Sequence, residues 1–120
     1  DKVFSRMKTE VPNYLSKITA VSGDIGEPGL GLSAADRELL LNLVHVVFHV
    51  AADVTFTKPL RQALTSNVLG SQRVLDLAKD IRHLRAYIHV STAFSHCERR
   101  VIEEVVYKMS INYKEIIAYV

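Results

Sequence analysis

Val44-His45-Val46-Val47-Phe48-His49-Val50 runs without a break into Ala51-Ala52-Asp53, and Tyr87-Ile88-His89-Val90 runs into Ser91-Thr92-Ala93-Phe94. Between the two runs, a helical pattern opens after Pro59. It sets Leu60, Ala63, Leu64, Val68, Ser71, Val74, Leu75 and Ala78 on one stripe, with Asn67 inside it. Two strands joined by a long helix and a short return form a βαβ unit, and such units are parallel and right-handed. The fold class is therefore α/β. Small residues and hydroxyls at the carboxyl ends of buried parallel strands are where an open α/β sheet holds its ligand. The stretch 44–94 reads as half of an active site.

Outward from that stretch the signals are shorter. Ser33, with Asp36 three residues on, resembles a capping box and opens a helix through Leu43, whose inward face is expected at Leu39, Leu40 and Leu43. Gly26-Glu27-Pro28-Gly29-Leu30-Gly31 is a loop by composition. It is a poor phosphate cradle, because no Lys-Ser/Thr follows and it does not open with G-x-G-x-x-G. Ile18-Thr19-Ala20-Val21 reads as a short strand closed by Gly23-Asp24-Ile25. Val3, Phe4 and Met7 share one face of a short helix over 1–7, and the pattern ends at Pro12. The tail reads as helical from about Asn112.

Composition narrows the class further. Of 120 residues, 48% are apolar and 23% charged, which is a globular balance. A net charge of +2 with scattered Lys and Arg gives nucleic acid no footprint, so no nucleic-acid partner is expected. Cys97 stands alone, so no internal disulfide forms and an intracellular, reducing compartment is expected. The longest apolar run, Leu39 to Ala52, is broken by Asn42, His45 and His49. It is too short and too polar to span a membrane. Asp1-Lys2-Val3-Phe4 shows neither an initiator Met nor a signal pattern, so an internal piece of a longer protein is expected.

Three groups of residues bear on chemistry. Asn67 falls on the stripe that faces the sheet, and a buried amide without partners costs about 1–3 kcal/mol. It must bond a backbone carbonyl or a water for structure's sake, or hold backbone or water at the strand ends for function. Ser91 and Thr92 sit where a strand leaves the sheet, and there a hydroxyl can cap the next turn or bond a substrate carbonyl. Spacing alone leaves both readings open. His45 and His49 point to one side of their strand, but roughly 13 Å apart they cannot share a metal ion. With no convergent third ligand, no metal site is expected. Cys97 beside His96 reads as an ordinary thiol, and Glu98, Arg99, Arg100, Glu103 and Glu104 as a solvated surface.

Four stretches taken in order carry a family resemblance. They are Gly23-Asp24-Ile25, Val47 to Phe56 with its Ala-Ala-x-Val-x-Phe core, Asn67-Val68-Leu69-Gly70, and His89-Val90-Ser91-Thr92-Ala93-Phe94-Ser95. Their order and spacing resemble the fatty acyl-CoA reductases of the extended short-chain dehydrogenase/reductase superfamily. Glu103, Glu104 and Tyr107 echo that family's Ile-x-Glu-x-x-Tyr region. The resemblance implies NADPH as cofactor, with Asp24 and Ile25 against its adenine and Ala51 and Ala52 beside it. It also implies that Asn67 steadies a catalytic lysine through water. Thr92 would bond the reacting carbonyl, with Ser91 as the second candidate. The implied reaction of the intact protein is reduction of a long-chain fatty acyl-CoA to a fatty alcohol. Another extended reductase, such as a thioester reductase or a hydroxysteroid dehydrogenase-like protein, is the alternative, as is a non-catalytic nucleotide-binding fragment. Family members reside at peroxisomal or endoplasmic reticulum membranes, and any membrane attachment is expected in segments outside 1–120.

The sequence departs from the family in two places. No G-x-x-G-x-x-G loop is present, and Tyr14, Tyr107, Tyr113 and Tyr119 all lack a lysine four residues on. The expected domain is thus a partial NAD(P)-binding Rossmann domain over 1–120. In a sheet ordered 3-2-1-4-5-6 it would supply strands three to five and lack strands one and two. A chain so truncated is expected to be inactive by itself.

Overall fold

β1 (Val46–His49) and β2 (Ala86–His89) lie side by side in parallel, in register from Val46↔Ala86 to His49↔His89. They belong to a computed structural model that describes residues 3–108 and 112–119. Both strands fall inside the expected runs 44–50 and 86–91, and one further bond, Val90 N–H to His49 C=O at 3.0 Å, extends the ladder. Among the described residues these are the two strands, so the α/β class holds with a two-stranded parallel sheet.

The crossover is one long helical path over 60–80. We call it α3 and build it from Leu60–Leu64, a π-turn at Thr65–Leu69, and Gly70–Asp80. Before it come α1 (Ser5–Glu10), a 3₁₀ turn at Tyr14–Lys17, and α2 (Ala34–Leu43). After β2, α4 (Tyr113–Tyr119) closes the chain where helix was expected. Ser33 caps α2 as its spacing suggests: Asp36 N–H donates to the Ser33 hydroxyl at 3.0 Å. Among the described residues, no helix is long and apolar enough to cross a membrane.

The core sits where α2, α3 and the sheet meet. Leu41, Ala78 and Ile81 are buried together, with Val44, Val47, Leu77, Leu84 and Tyr87 packed against them. Arg82 N–H donates to the Leu41 carbonyl at 3.1 Å and seals the junction. Exposed ion pairs, Arg37–Asp80 at 2.5 Å and Arg82–Glu38 at 2.9 Å, add about 0–1 kcal/mol each.

Four expectations need correction. Residues 18–21 run extended but form no strand, because no neighbouring strand offers them a ladder. The inward residue of α2 is Leu41, while Leu39 and Leu43 are exposed. Leu40 is half-buried, and Leu41 is the α2 residue that meets Ala78 and Ile81 at the far end of α3. The first helix spans Ser5–Glu10 rather than 1–7, of which residues 1 and 2 lie outside the described residues. Leu60 is exposed although the stripe placed it inward. Leu60 opens the first turn of α3, where the helix has least cover, and Leu75 farther along the stripe is exposed as well.

Period-two alternation puts Val47, His49, Tyr87 and His89 on the face under α3, and Val46, Phe48, Ala86 and Ile88 on the other. The second face is bare: Phe48 is 69% exposed. The chain exposes 9908 Å², against about 6,500 Å² for a compact monomer of its mass. Its radius of gyration is 17.3 Å, where about 14 Å marks a compact domain of this length. Helices normally cover both faces of a doubly wound sheet. Here they cover one.

Candidate active site

The π-turn is where the site begins. In it, Gly70 N–H reaches back five residues to the Thr65 carbonyl, which widens one turn of α3 around Asn67. The Asn67 side chain then bonds both backbone groups of a single residue. Its Oδ1 accepts from Asp53 N–H at 2.8 Å, and its Nδ2 donates to the Asp53 carbonyl at 2.9 Å. A donor and an acceptor facing an acceptor and a donor fix the amide's orientation. Asn67 therefore clamps backbone just past the carboxyl end of β1. Both sequence readings of this residue foresaw a backbone or water partner, and backbone is what it holds.

Asp53 is tied on its side chain as well. Its carboxylate pairs with Lys58 and accepts Thr55 N–H at 2.9 Å. The Lys58 ammonium, followed by the Thr55 N–H and hydroxyl, brings its pKa from 3.8 to about 2. A depressed carboxylate stabilises the fold above its ordinary pKa, and that contribution is lost as pH falls through about 2. The turn should hence keep its charge pattern throughout the neutral and mildly acidic range. A side-chain NMR titration should place the Asp53 midpoint near 2, and Lys58→Ala should move it back toward 3.8. A wild-type midpoint at the ordinary value would contradict the pairing.

Beside this turn opens a cleft of about 450 Å³, lined among others by Ile25, Ala51, Ala52, Asp53, Lys58 and Ser66. Three of the four residues assigned by resemblance to the cofactor thus meet in one concavity, of a size usual for ligand sites. The fourth, Asp24, anchors the loop behind Ile25. Its Oδ1 accepts Gly26 N–H at 2.7 Å, and its own N–H donates to the Leu30 carbonyl at 2.8 Å. Residues 29–31 are left-handed, with Leu30 among them at φ 63°, so the flanking glycines fit where a side chain is strained. The amides of Asp24, Gly26, Glu27 and Leu30 are spent within the loop.

Ile25 is held against α3. Its carbonyl accepts from Arg73 Nη1 at 2.9 Å, and its side chain lies over Gly70. A Cβ at Gly70 would stand 3.1 Å from the Ile25 carbonyl oxygen and 3.2 Å from its Cβ. An exposed helical Gly→Ala change gains about 1 kcal/mol. At Gly70 that gain should be reversed, because the obstacle is backbone. Gly70→Ala is expected to lower the melting temperature of the full-length protein and weaken cofactor binding several-fold. A stabilised variant with unchanged binding would show that Ile25 is not seated there.

Ser91 and Thr92 are exposed and follow β2, and they leave the sheet next to the residues that follow β1. Phe94 N–H donates to Thr92 Oγ1 at 3.2 Å, so the hydroxyl does cap the next turn. A hydroxyl that accepts keeps its own proton to donate. The capping and substrate-bonding readings are compatible.

Two residues of this region escaped the sequence reading. His49 is 3% exposed, with Nε2 2.9 Å from Ser71 Oγ, and its ring lies 4.9 Å from that of His89. Matching parity in paired parallel strands, and the four-residue step from Asn67 to Ser71, were the available signals. His96, Arg99 and Tyr107 form a separate surface group, with the Arg99 guanidinium 3.9 Å above the Tyr107 ring. Among the described residues no group of three or more His, Cys, Asp or Glu is arranged to hold a metal ion.

The clamped turn is bordered by methyl-sized side chains at the strand end, Ala51 and Ala52, with the apolar Ile25 opposite. The NAD-binding family profile described as male sterility protein matches residues 1–117. Fatty acyl-CoA reductase wat of Drosophila melanogaster is 47% identical over 107 residues, covering 89% of this chain and 21% of that protein. Fatty acyl-CoA reductase 1 of Rattus norvegicus is 37% identical over 116 residues, covering 97% of the chain and 22% of the relative. Fatty acyl-CoA reductase 2 of Bos taurus is 40% identical over the same length, with 22% of it covered. The chain spans about a fifth of the length of these curated relatives. A strand-end cleft of this form and a profile match over nearly every residue lead to one conclusion: the chain belongs to the male sterility protein family of NAD-binding domains, together with the fatty acyl-CoA reductases.

Proposed function

We propose that the protein carrying this chain reduces a long-chain fatty acyl-CoA to the fatty alcohol with NADPH. The observation that carries the reading is the cleft where Ile25, Ala51 and Ala52 meet beside the Asn67-clamped turn. The names of the relatives supply the acyl-CoA class.

The cofactor supplies the hydride. This chain supplies position. Ala51 and Ala52 admit the cofactor close to backbone, Asp24 and Ile25 border its adenine, and Asn67 holds the turn between. Thr92, with its proton free, donates to the thioester carbonyl oxygen and stabilises the negative charge that grows there as the carbon is reduced. Breaking the carbon–sulfur bond then releases coenzyme A and leaves an aldehyde on the same hydroxyl. A second reduction gives the alkoxide, which takes its proton from a donor outside 1–120. Residues 1–120 alone therefore neither hold the pyrophosphate nor turn over.

The test is the full-length protein with a long-chain acyl-CoA and either NADPH or NADH. The expected result is two NADPH oxidised per acyl-CoA, with alcohol as product. A preference for NADH, for carrier-bound acyl groups or for steroids would overturn the assignment, and turnover by residues 1–120 would overturn the division of labour.

A further inference from the structure

We infer that His49 and Ser71 are positioning residues: together they lock the π-turn that aims Asn67 at Asp53, and so shape the cofactor cleft. The inference rests on the reading of that cleft given above.

Hydrogen-bond direction decides the arrangement. Ser71 Oγ lies 2.6 Å from the Asn67 carbonyl, which can only accept, so the single hydroxyl proton points there. Ser71 Oγ must then accept from His49 Nε2 at 2.9 Å, and that nitrogen carries the hydrogen. Donation runs one way, from His49 to Ser71 to the Asn67 carbonyl. The far side of Asn67 then holds both backbone groups of Asp53. A relay anchored in β1 thus reaches the residues just past the end of β1 by way of the widened turn of α3.

Burial is what gives the relay its leverage. His49 is the buried polar side chain among the described residues, and its backbone is fixed in the ladder opposite His89. Burial, and then the neighbouring His89, lower its pKa below the ordinary imidazole value, so it is neutral at pH 7. A neutral ring with a committed Nε2–H is a fixed donor. Ser71 is one turn past Asn67, so its hydroxyl reaches the Asn67 carbonyl inside the widened turn.

The experiment uses the full-length protein and four variants: His49→Phe, His49→Gln, Ser71→Ala and the double variant His49→Phe/Ser71→Ala. Phe fills the imidazole space without a donor, while the Gln amide can place an N–H where Nε2–H stood. His49→Phe and Ser71→Ala should raise the KM for NADPH about tenfold, while kcat at saturating NADPH falls about threefold or less. His49→Gln should restore most of the affinity. The double variant should lose no more than either single one, as expected for one shared chain. Wild-type affinity in His49→Phe and Ser71→Ala, or a His49→Gln variant as weak as His49→Phe, overturns the proposal. Should His49→Phe fail to fold, Ser71→Ala and His49→Gln decide alone. If the wild type does not bind NADPH, the cofactor reading fails instead. Nitrogen-15 imidazole spectra then decide the relay, because an Nε2–H tautomer at His49 supports it and an Nδ1–H tautomer overturns it.

Discussion

Asn67→Ala in the full-length protein is expected to weaken binding of the nicotinamide cofactor about 30-fold, the largest loss for any single change away from the reacting atoms. The variant removes both bonds to Asp53, at 2.8 and 2.9 Å. Each such bond contributes about 1 kcal/mol net, and together about 2 kcal/mol corresponds to that factor. The loss should appear in binding because the Asp53 backbone it frees lines the cleft. Asn67→Asp should do no better than alanine. Its carboxylate can accept from Asp53 N–H but opposes the Asp53 carbonyl, and it adds charge beside the Asp53–Lys58 pair. Titration by cofactor fluorescence reads the effect directly. An Asn67→Ala affinity within threefold of wild type would mean that the clamp holds the fold and not the site.

Thr92→Ala is expected to act on the opposite quantity. On the proposed role of Thr92 as donor to the reacting carbonyl, its loss should lower kcat by about 10²–10³. Cofactor affinity should stay within a factor of two, because Thr92 lies past β2 and the clamped turn lies past β1. Thr92→Ser keeps both the cap to Phe94 N–H and the free proton, so it should recover most of the activity. Ser91→Ala is the control and should lose little. Full turnover in Thr92→Ala, or a greater loss in Ser91→Ala, would move the carbonyl contact to another residue.

The βαβ unit was readable because its strands are unbroken apolar runs and its helix carries a clear stripe. Ser33 was readable because a cap is local. What escaped depended on partners elsewhere in the chain. Residues 18–21 have strand-like composition, yet a strand exists only against a neighbour. Leu41 became the inward leucine of α2 through the position of Ala78 and Ile81, which no periodicity within α2 reveals. The π-turn leaves no mark at a 3.6-residue period, since the sequence is continuous across it, and a stripe does not show that Leu60 opens the helix at an exposed end. His49 was weighed against His45, its neighbour along the strand, although the contacts that matter come from the adjacent strand and from α3. Asn67 was legible as a polar residue on an apolar stripe. Its role as a two-point hold on Asp53 required the turn to be seen in three dimensions.

The parallel register has a kinetic consequence. Val46 pairs with Ala86, so the whole of α3 must fold back before the first ladder bond between β1 and β2 can form. Closing so long a loop costs chain entropy in advance of any reward, which makes such pairings slow. Helix formation in α3 shortens that loop, and the contact of Ala78 and Ile81 with Leu41 brings the strands into range. The helix and its junction with α2 are therefore expected to form first, with the sheet assembling after them. Substitutions at Ala78 or Leu41 should slow folding itself, whereas those at Phe48 should act only after the rate-limiting barrier has been crossed.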